Sequence, residues 1–201
     1  GLLQKSLEEN NYLELRRQLE EKGMQKGIAA LLYGPPGTGK TESVMQVAKA
    51  LGRAIYHFDI SSTKSCWLVE SEKLIKELFK KYEDICEHSE KRPILLFNEA
   101  DGIFSKRKDT DSSNVAQTEN TIQNIILEEM ERLDGILIAT TNMAENLDGA
   151  FERRFLFKIK FDKPTLEARK NIWLSKMPSL SYDNAGILAT SFPYSGGEID
   201  N

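Results

Sequence analysis

The chain contains little cysteine, and its 201 residues include only two, Cys66 and Cys86. These two lack the close spacing of a metal-ligand pair, and they are too few for a disulfide framework. The sequence therefore excludes a small scaffold held together by disulfides and favours a reducing cytosol.

Long hydrophobic runs are also missing. The longest apolar run, Ile28–Tyr33, is far shorter than the roughly 20 residues that cross a bilayer. The first residues carry no signal-peptide pattern. We therefore expect a soluble, cytoplasmic protein with no membrane partner.

The chain has no excess of basic charge. Its 27 Lys and Arg residues face 31 Asp and Glu residues, and the formal net charge is -4. Attraction to a phosphate backbone needs clustered cations, and the short basic run Lys106–Lys108 is more typical of a solvated stretch. No nucleic-acid partner is predicted.

Five short apolar runs are present, and they alternate with longer stretches of helical periodicity. This alternation predicts an α/β fold in which helices cover both faces of a five-stranded parallel sheet. A chain of this length buries roughly 70% of its unfolded surface. The predicted strands are Ile28–Tyr33, Ala54–Phe58, Ile94–Phe97, Ile136–Ala139 and Leu156–Phe161.

Helical signals divide the chain into three parts. A leading helix is predicted over residues 2–22, with Gly23 at its C-terminus, and further helices cover Leu74–Cys86 and Ile122–Leu133. The polar stretch Ser105–Glu119 is predicted to be an exposed loop. Beyond Asp162 only helices are expected, at Leu166–Met177 and Tyr182–Phe192. The predicted organisation is a helical linker (1–26), an α/β domain (27–162) and a truncated helical lid (163–201).

One motif points directly to chemistry. Residues 34–41 read Gly-Pro-Pro-Gly-Thr-Gly-Lys-Thr, which fits the pattern G-x-x-x-x-G-K-[ST] between a strand and a helix expected to begin at about Glu42. In such a loop the glycine backbone cradles phosphates, the lysine contacts the β- and γ-phosphates, and the final hydroxyl is a Mg²⁺ ligand. A plain turn would not need Lys and Thr in this register. We therefore predict ATP and Mg²⁺ as cofactors, with the nucleotide bound by Gly34, Pro35, Pro36, Gly37, Thr38, Gly39, Lys40, Thr41 and Glu42.

A second segment, taken together with the phosphate-loop motif, resembles the pattern of a known protein family. Ile94–Phe97 is followed by Asn98 and Glu99, at the strand end where parallel sheets present catalytic groups. With the phosphate loop, this segment resembles the AAA+ ATPases, in which an apolar strand ends in Asp-Glu. The resemblance implies that Glu99 polarises the attacking water; a strand-end carboxylate serving only solubility is the alternative.

Asn98 departs from the family pattern, because an aspartate would hold the Mg²⁺ hydration shell there. An asparagine offers an oxygen without charge. The implied metal site, Thr41 with Asn98, should therefore be weakened, and whether Asp101 compensates is left open.

Two further segments resemble AAA+ motifs. Residues 136–142 are similar to the sensor strand, which implies that Asn142 lies between the γ-phosphate and the water; an ordinary turn asparagine is the alternative. Residues 147–155 are similar to the arginine-finger segment, which implies that Arg153 and Arg154 project into a neighbouring subunit. Family members form rings, usually hexamers, so a homo-oligomeric ring is expected. Two plain surface arginines are the alternative.

Two weaker similarities complete the resemblance. Residues 65–73 resemble a loop that family members point into a central pore, where an aromatic and an aliphatic residue grip a substrate polypeptide. Trp67 and Leu68 match, but Val69 replaces a glycine, and a core tryptophan is nearly as well supported. Residues 195–199 resemble the lid entry near adenine and ribose.

Taken together, the resemblance implies an ATP hydrolase that remodels or unfolds a protein client as an oligomeric ring. The alternative is a scaffold that binds ATP and assembles but hydrolyses slowly because of Asn98. A small-molecule kinase fits less well, because no acceptor-binding segment is apparent.

Overall fold

The computed structural model describes residues 1–59, 67–104, 114–142 and 147–200. Its centre is a five-stranded sheet in the order β2-β3-β4-β1-β5, and every pair of neighbouring strands is parallel. The predicted α/β fold with a five-stranded parallel sheet is therefore confirmed. The strands are β1 (Ile28–Tyr33), β2 (Ile55–Asp59), β3 (Ile94–Asn98), β4 (Ile136–Thr141) and β5 (Phe157–Lys160).

Helices cover both faces of the sheet, because successive strand side chains point to opposite sides. On one face Leu95 and Phe97 join a core that includes Phe79, Phe104 and Phe151. On the other face Leu96 packs with residues of the N-terminal helices. The first face carries α4 (Trp67–Glu87), α5 (Asp101–Phe104), α6 (Asn114–Arg132) and α7 (Gly149–Arg154); the second carries α1 (Leu2–Leu7), α2 (Glu9–Glu21) and α3 (Lys40–Leu51).

The leading segment is two helices, so the prediction of one helix over residues 2–22 is wrong. The chain leaves helical geometry at Glu8, where φ is -57° and ψ is 140°. The buried guanidinium of Arg53 explains the break: its Nε and Nη2 donate to the Leu7 carbonyl oxygen at 3.1 and 2.9 Å, which a continuous helix would use itself. The predicted C-terminal signal is correct, since Gly23 has φ 67° and closes α2.

Two segments predicted as loops are helical where they are described. Helix α6 begins at Asn114, so the exposed loop predicted over Ser105–Glu119 is wrong from residue 114 onward. Helix α4 begins at Trp67, so the loop predicted over residues 65–73 is also wrong from that point. Residues 67–73 and 114–119 contain no Gly or Pro, so both segments are compatible with a helix. Residues 60–66 and 105–113, and the Trp67 and Leu68 side chains, lie outside the described part, so the pore-loop hypothesis stays a prediction.

Three helices follow the sheet: α8 (Leu166–Lys176), α9 (Tyr182–Ser191) and α10 (Gly196–Asp200). The first two agree with the predicted helices to within one residue at the C-terminus. Thr165 and Ser181 cap them, accepting the backbone N–H of Ala168 and of Asn184, both at 3.2 Å. None of the helices in the described ranges has the length and the apolar composition that a membrane span requires.

Candidate functional site

The phosphate loop connects β1 to α3 through three glycines with positive φ. Gly34 has φ 142°, Gly37 φ 72° and Gly39 φ 86°, conformations that only glycine adopts without strain. A Cβ on Gly34 would also overlap the Phe161 carbonyl oxygen, and one on Gly37 would overlap the Ser195 hydroxyl. Backbone shape thus requires all three glycines, and close packing also requires Gly34 and Gly37.

Lys40, the first residue of α3, is 7% exposed. Its Nζ donates to the backbone oxygens of Gly34 and Pro35, both at 2.8 Å, and to Oδ1 of Asn142 at 2.9 Å. Three oxygens match the three N–H donors of an ammonium group. Burial lowers the pKa of Lys40, and the charges of Asp101 and Glu99 act in the opposite direction.

Asn98 joins the phosphate loop to the sheet. Its Oδ1 accepts the Thr41 hydroxyl at 2.7 Å and the Thr140 hydroxyl at 2.8 Å. Thr140 also accepts the backbone N–H of Glu99 at 3.1 Å through the same hydroxyl oxygen. The amide oxygen at position 98 therefore lies beside the hydroxyl predicted to bind metal.

Glu99 has a left-handed backbone, with φ 53°. It is the one such non-glycine residue recorded in the described ranges, and a conformation of this kind costs about 1–3 kcal/mol. The turn is held in place by β4, because Thr140 accepts the Glu99 N–H through its hydroxyl and the Ala100 N–H through its carbonyl oxygen at 2.9 Å. The Glu99 side chain is exposed and lines the cleft described below.

Asp101 contacts the end of β4 and not the Thr41 hydroxyl. Its Oδ1 accepts the backbone N–H of Asn142 at 2.7 Å and the Thr141 hydroxyl, and its Oδ2 accepts Nδ2 of Asn142 at 3.2 Å. Asp101 therefore does not replace the missing carboxylate at position 98.

The last helix rests on the phosphate loop. The Gly197 N–H donates to the Gly37 carbonyl oxygen at 3.0 Å. Glu198 accepts the Ser195 N–H at 2.6 Å, and this bond lowers the pKa of the Glu198 carboxyl. The predicted lid entry is thus in direct contact with the predicted phosphate site.

A cleft of about 560 Å³ lies between the loop, the strand ends and the last helices. Glu99 and Asn142 line it together with most of the predicted nucleotide-binding residues, and Asn98 borders it through Thr41. Gly34 and Pro35 contact its lysine from behind. The lining residues are Pro36–Glu42, Glu99, Thr140–Asn142, Asp162, Pro164, Ile172, Gly196 and Gly197.

The two arginines lie elsewhere, beside a separate groove near the end of α2. Arg153 is exposed. Arg154 forms an ion pair with Glu131, its side chain is 26% exposed, and its carbonyl oxygen accepts Nε2 of Gln25 at 3.0 Å. Neither arginine is brought to the cleft of its own chain.

Comparisons with known proteins agree with this fold. Residues 30–163 match the model of the family described as "ATPase family associated with various cellular activities (AAA)". The chain belongs to the AAA family. A solved structure of the FIGL-1 AAA domain in complex with ADP superimposes with a TM-score of 0.65 at 25% identity, over 85% of this chain and 57% of that one.

Curated relatives of this AAA chain include proteins with different roles. Cell division protein C of Sulfolobus acidocaldarius is 30% identical over 88% of this chain and 47% of its own length. Proteasome-activating nucleotidase 2 of Haloferax volcanii is 33% identical over 80% of this chain and 39% of its own. Vacuolar protein sorting-associated protein 4 of Dictyostelium discoideum is 33% identical over 74% of this chain and 32% of its own length. The chain thus spans less than half the length of these relatives.

Sequence reasoning missed two residues of this AAA site. The sequence gives Thr140 no role beyond its place in the sensor strand, and it suggests Asp101 only as a replacement for a metal ligand. Polar residues at the ends of neighbouring parallel strands meet at one sheet edge, and that rule could have paired Asp101 with Thr141 and Asn142. Nothing in the sequence indicates which oxygen of each side chain would be used.

Proposed function

We propose that this AAA chain binds ATP with Mg²⁺ in the cleft and hydrolyses it as a subunit of a homo-oligomeric ring that remodels or unfolds a protein client. One observation carries the proposal: Lys40, Glu99 and Asn142 line a single cleft with the phosphate loop. A cytoplasmic location and a hexameric ring stay predictions.

Binding would rest on a loop that is already formed. Lys40 is fixed by two loop carbonyl oxygens and one amide oxygen, so its ammonium group is directed without a large loss of side-chain entropy on binding. The loop amides and the start of α3 favour anionic phosphate oxygens. Residues 195–197 would close over the nucleotide from the lid side.

The donor set suits magnesium, although weakly. Mg²⁺ prefers hard oxygen ligands and keeps several waters, and the Thr41 hydroxyl and the Asn98 amide oxygen lie 2.7 Å apart. Both are neutral, so the negative charge would come from the phosphates. When bound, the ion would neutralise charge on the triphosphate.

Hydrolysis would depend on the exposed carboxylate of Glu99, which is available to orient and deprotonate a water in the cleft. Asn142 would hold that water and the terminal phosphate through its amide. Charge developing on the transferred group would be neutralised by Arg153 and Arg154 of a neighbouring subunit, consistent with their position away from their own cleft. The similarity to proteasome-activating nucleotidase 2 of Haloferax volcanii supports a protein client.

A second candidate function is favoured by Asn98 itself. An amide at that position adds no charge to the metal site, so ATP binding could drive assembly while hydrolysis stays slow. The chain would then act as a nucleotide-gated scaffold.

Calorimetry tests the binding step. The chain should bind ATP with Mg²⁺, and Lys40→Ala should weaken binding at least tenfold, since a charged hydrogen bond contributes roughly 1.5–3 kcal/mol. Lys49→Ala is the matched control, because Lys49 lies exposed at the other end of the same helix and should bind ATP like the parent. Absence of any heat from folded parent chain would overturn the proposal.

Phosphate release separates the two candidate functions. Glu99→Gln should keep binding and lose turnover by roughly 100-fold or more, the usual contribution of a general base. Asn98→Asp tests the metal site. A parent that turns over and is little improved by this change supports the motor, whereas activity that appears only in Asn98→Asp supports the scaffold.

A further inference from the structure

The Asn142 side chain is held between two charged groups. Its Oδ1 accepts Nζ of Lys40 at 2.9 Å, and its Nδ2 donates to Oδ2 of Asp101 at 3.2 Å. The carboxylate and the ammonium therefore bind opposite ends of one amide.

This arrangement fixes which way the amide faces. An amide has one accepting oxygen and one nitrogen with two hydrogens. If it were reversed, the nitrogen would face the Lys40 ammonium and the oxygen would face the Asp101 carboxylate, and both contacts would be repulsive. Within the described part of the chain, Asp101 accepts one hydrogen of this nitrogen, and the second would serve an acceptor in the cleft.

Two further hydrogen bonds hold the Asp101 carboxylate, and neither involves the Asn142 side chain. Asp101 also accepts the backbone N–H of Asn142 at 2.7 Å and the Thr141 hydroxyl, so its carboxylate is held at the end of β4 by contacts other than the one to the Asn142 side chain. Its charge also counteracts the effect of burial on the pKa of Lys40.

We propose that Asp101 is a positioning residue that orients the Asn142 amide so that the Lys40–Asn142 pair distinguishes ATP from ADP, an inference that rests on the proposed ATP site. In a loop of this pattern the lysine contacts the β- and γ-phosphates. An amide bonded to that lysine would therefore lie beside the third phosphate, within reach of its oxygens. Its remaining N–H then contributes to ATP binding and not to ADP binding.

The test compares the dissociation constants of ATP and ADP, measured with Mg²⁺ by calorimetry. Asp101→Asn is the most informative variant. The amide oxygen of the new side chain can still accept from the Thr141 hydroxyl and the Asn142 N–H, but its NH₂ group cannot accept from Nδ2 of Asn142. Preference for ATP over ADP should fall about tenfold, as expected when an outer partner that orients a binding group is lost. ADP affinity should change less than about twofold.

Controls separate this role from general destabilisation. Asp134→Ala removes another partly buried carboxylate of an ion-pair cluster and should lower stability while keeping the parent preference for ATP. Asp101→Ala should lose the preference as Asp101→Asn does. If Asp101 acts through Asn142, the double variant Asp101→Asn/Asn142→Ala should lose no more preference than Asn142→Ala alone.

Each failure has a distinct signature. A parent chain that binds no nucleotide defeats the proposed function itself. A parent that prefers ATP, together with an Asp101→Asn variant that keeps the full preference, defeats only the role of Asp101, as would additive losses in the double variant.

Discussion

At the scale of single residues, the end of β4 determines the geometry of the proposed catalytic turn. Thr140 is buried, with 2% of its surface exposed. Its hydroxyl donates a hydrogen bond to Asn98 and accepts one from the Glu99 N–H. One hydroxyl therefore fixes both the amide beside the phosphate loop and the backbone of the proposed general base.

Replacing Thr140 should affect turnover more than nucleotide binding. Thr140→Val keeps the shape and the β-branched backbone preference of the residue but leaves the Glu99 N–H without this acceptor. We expect turnover to fall about tenfold, since small displacements of reacting groups have large effects on rate. Nucleotide affinity should stay within about threefold, because Thr140 does not hold Lys40.

Steady-state phosphate release, with calorimetry in parallel, measures the two effects. Thr140→Ser restores the hydroxyl and should recover most of the turnover. Equal turnover in the Val and Ser variants would show that the hydroxyl does not position Glu99.

At the scale of secondary-structure elements, an ion-pair cluster fastens α2 to the end of the sheet away from the cleft. Asp134 accepts Nε of Arg16 at 2.7 Å and lies 3.4 Å from Nη2 of Arg92. Burial raises the pKa of Asp134, but the Arg16 hydrogen bond and the charges of Arg92 and Arg16 outweigh it, so the pKa lies below its ordinary value.

The stability of the chain should therefore depend on this carboxylate at acid pH. A lowered pKa in the folded state means that the contribution is complete above the unfolded pKa and is lost as the pH falls through the folded value. Because the cluster is partly exposed, Asp134→Asn should cost roughly 1 kcal/mol at pH 7, and the difference from the parent should shrink below about pH 4.

Urea unfolding followed by circular dichroism at several pH values gives this difference directly. Asp162→Asn is a suitable control, because Asp162 pairs with Lys160 at an exposed position and should have a much smaller effect. A difference between Asp134→Asn and the parent that grows as the pH falls would contradict the assignment.

The elements also show what local sequence can predict. β1 is a continuous apolar run, and α8 and α9 begin directly after the capping residues Thr165 and Ser181; both signals are local. The break at Glu8 depends on Arg53, which is distant in sequence, so no local pattern reports it. The phosphate loop could be predicted because its residues are consecutive in sequence. The Asp101–Asn142 contact could not, because it depends on the order of the strands in the sheet.

At the scale of the whole molecule, Arg153 and Arg154 lie apart from the other residues of the proposed site. Arg154 is paired with Glu131 within its own chain, while Arg153 is exposed and has no ion pair recorded among the described side chains. A shared site between subunits would use residues from two chains, and Arg153 is the better placed of the two to reach a neighbour.

Mixing experiments test whether sites are shared. Arg153→Ala and Glu99→Gln chains should each be inactive alone, and a mixture should recover part of the parent turnover, because some interfaces then combine an intact Glu99 with an intact Arg153. Arg154→Ala, mixed in the same way, reports on the paired arginine. Turnover in the parent should also rise faster than linearly with protein concentration.

The control for this mixture is Lys49→Ala combined with Glu99→Gln, whose activity should equal the parent activity diluted by the inactive chain. A mixture of Arg153→Ala and Glu99→Gln with no activity above the two separate samples would count against sites completed by a neighbour.

The backbone at position 99 has one more consequence. Glycine would adopt that φ of 53° without strain, whereas a residue with a side chain there costs about 1–3 kcal/mol. A sequence chosen for thermal resilience alone would have a different residue at the tip of this turn. At this position catalysis and stability favour different residues. Glu99→Gly should therefore make the fold more stable and abolish turnover.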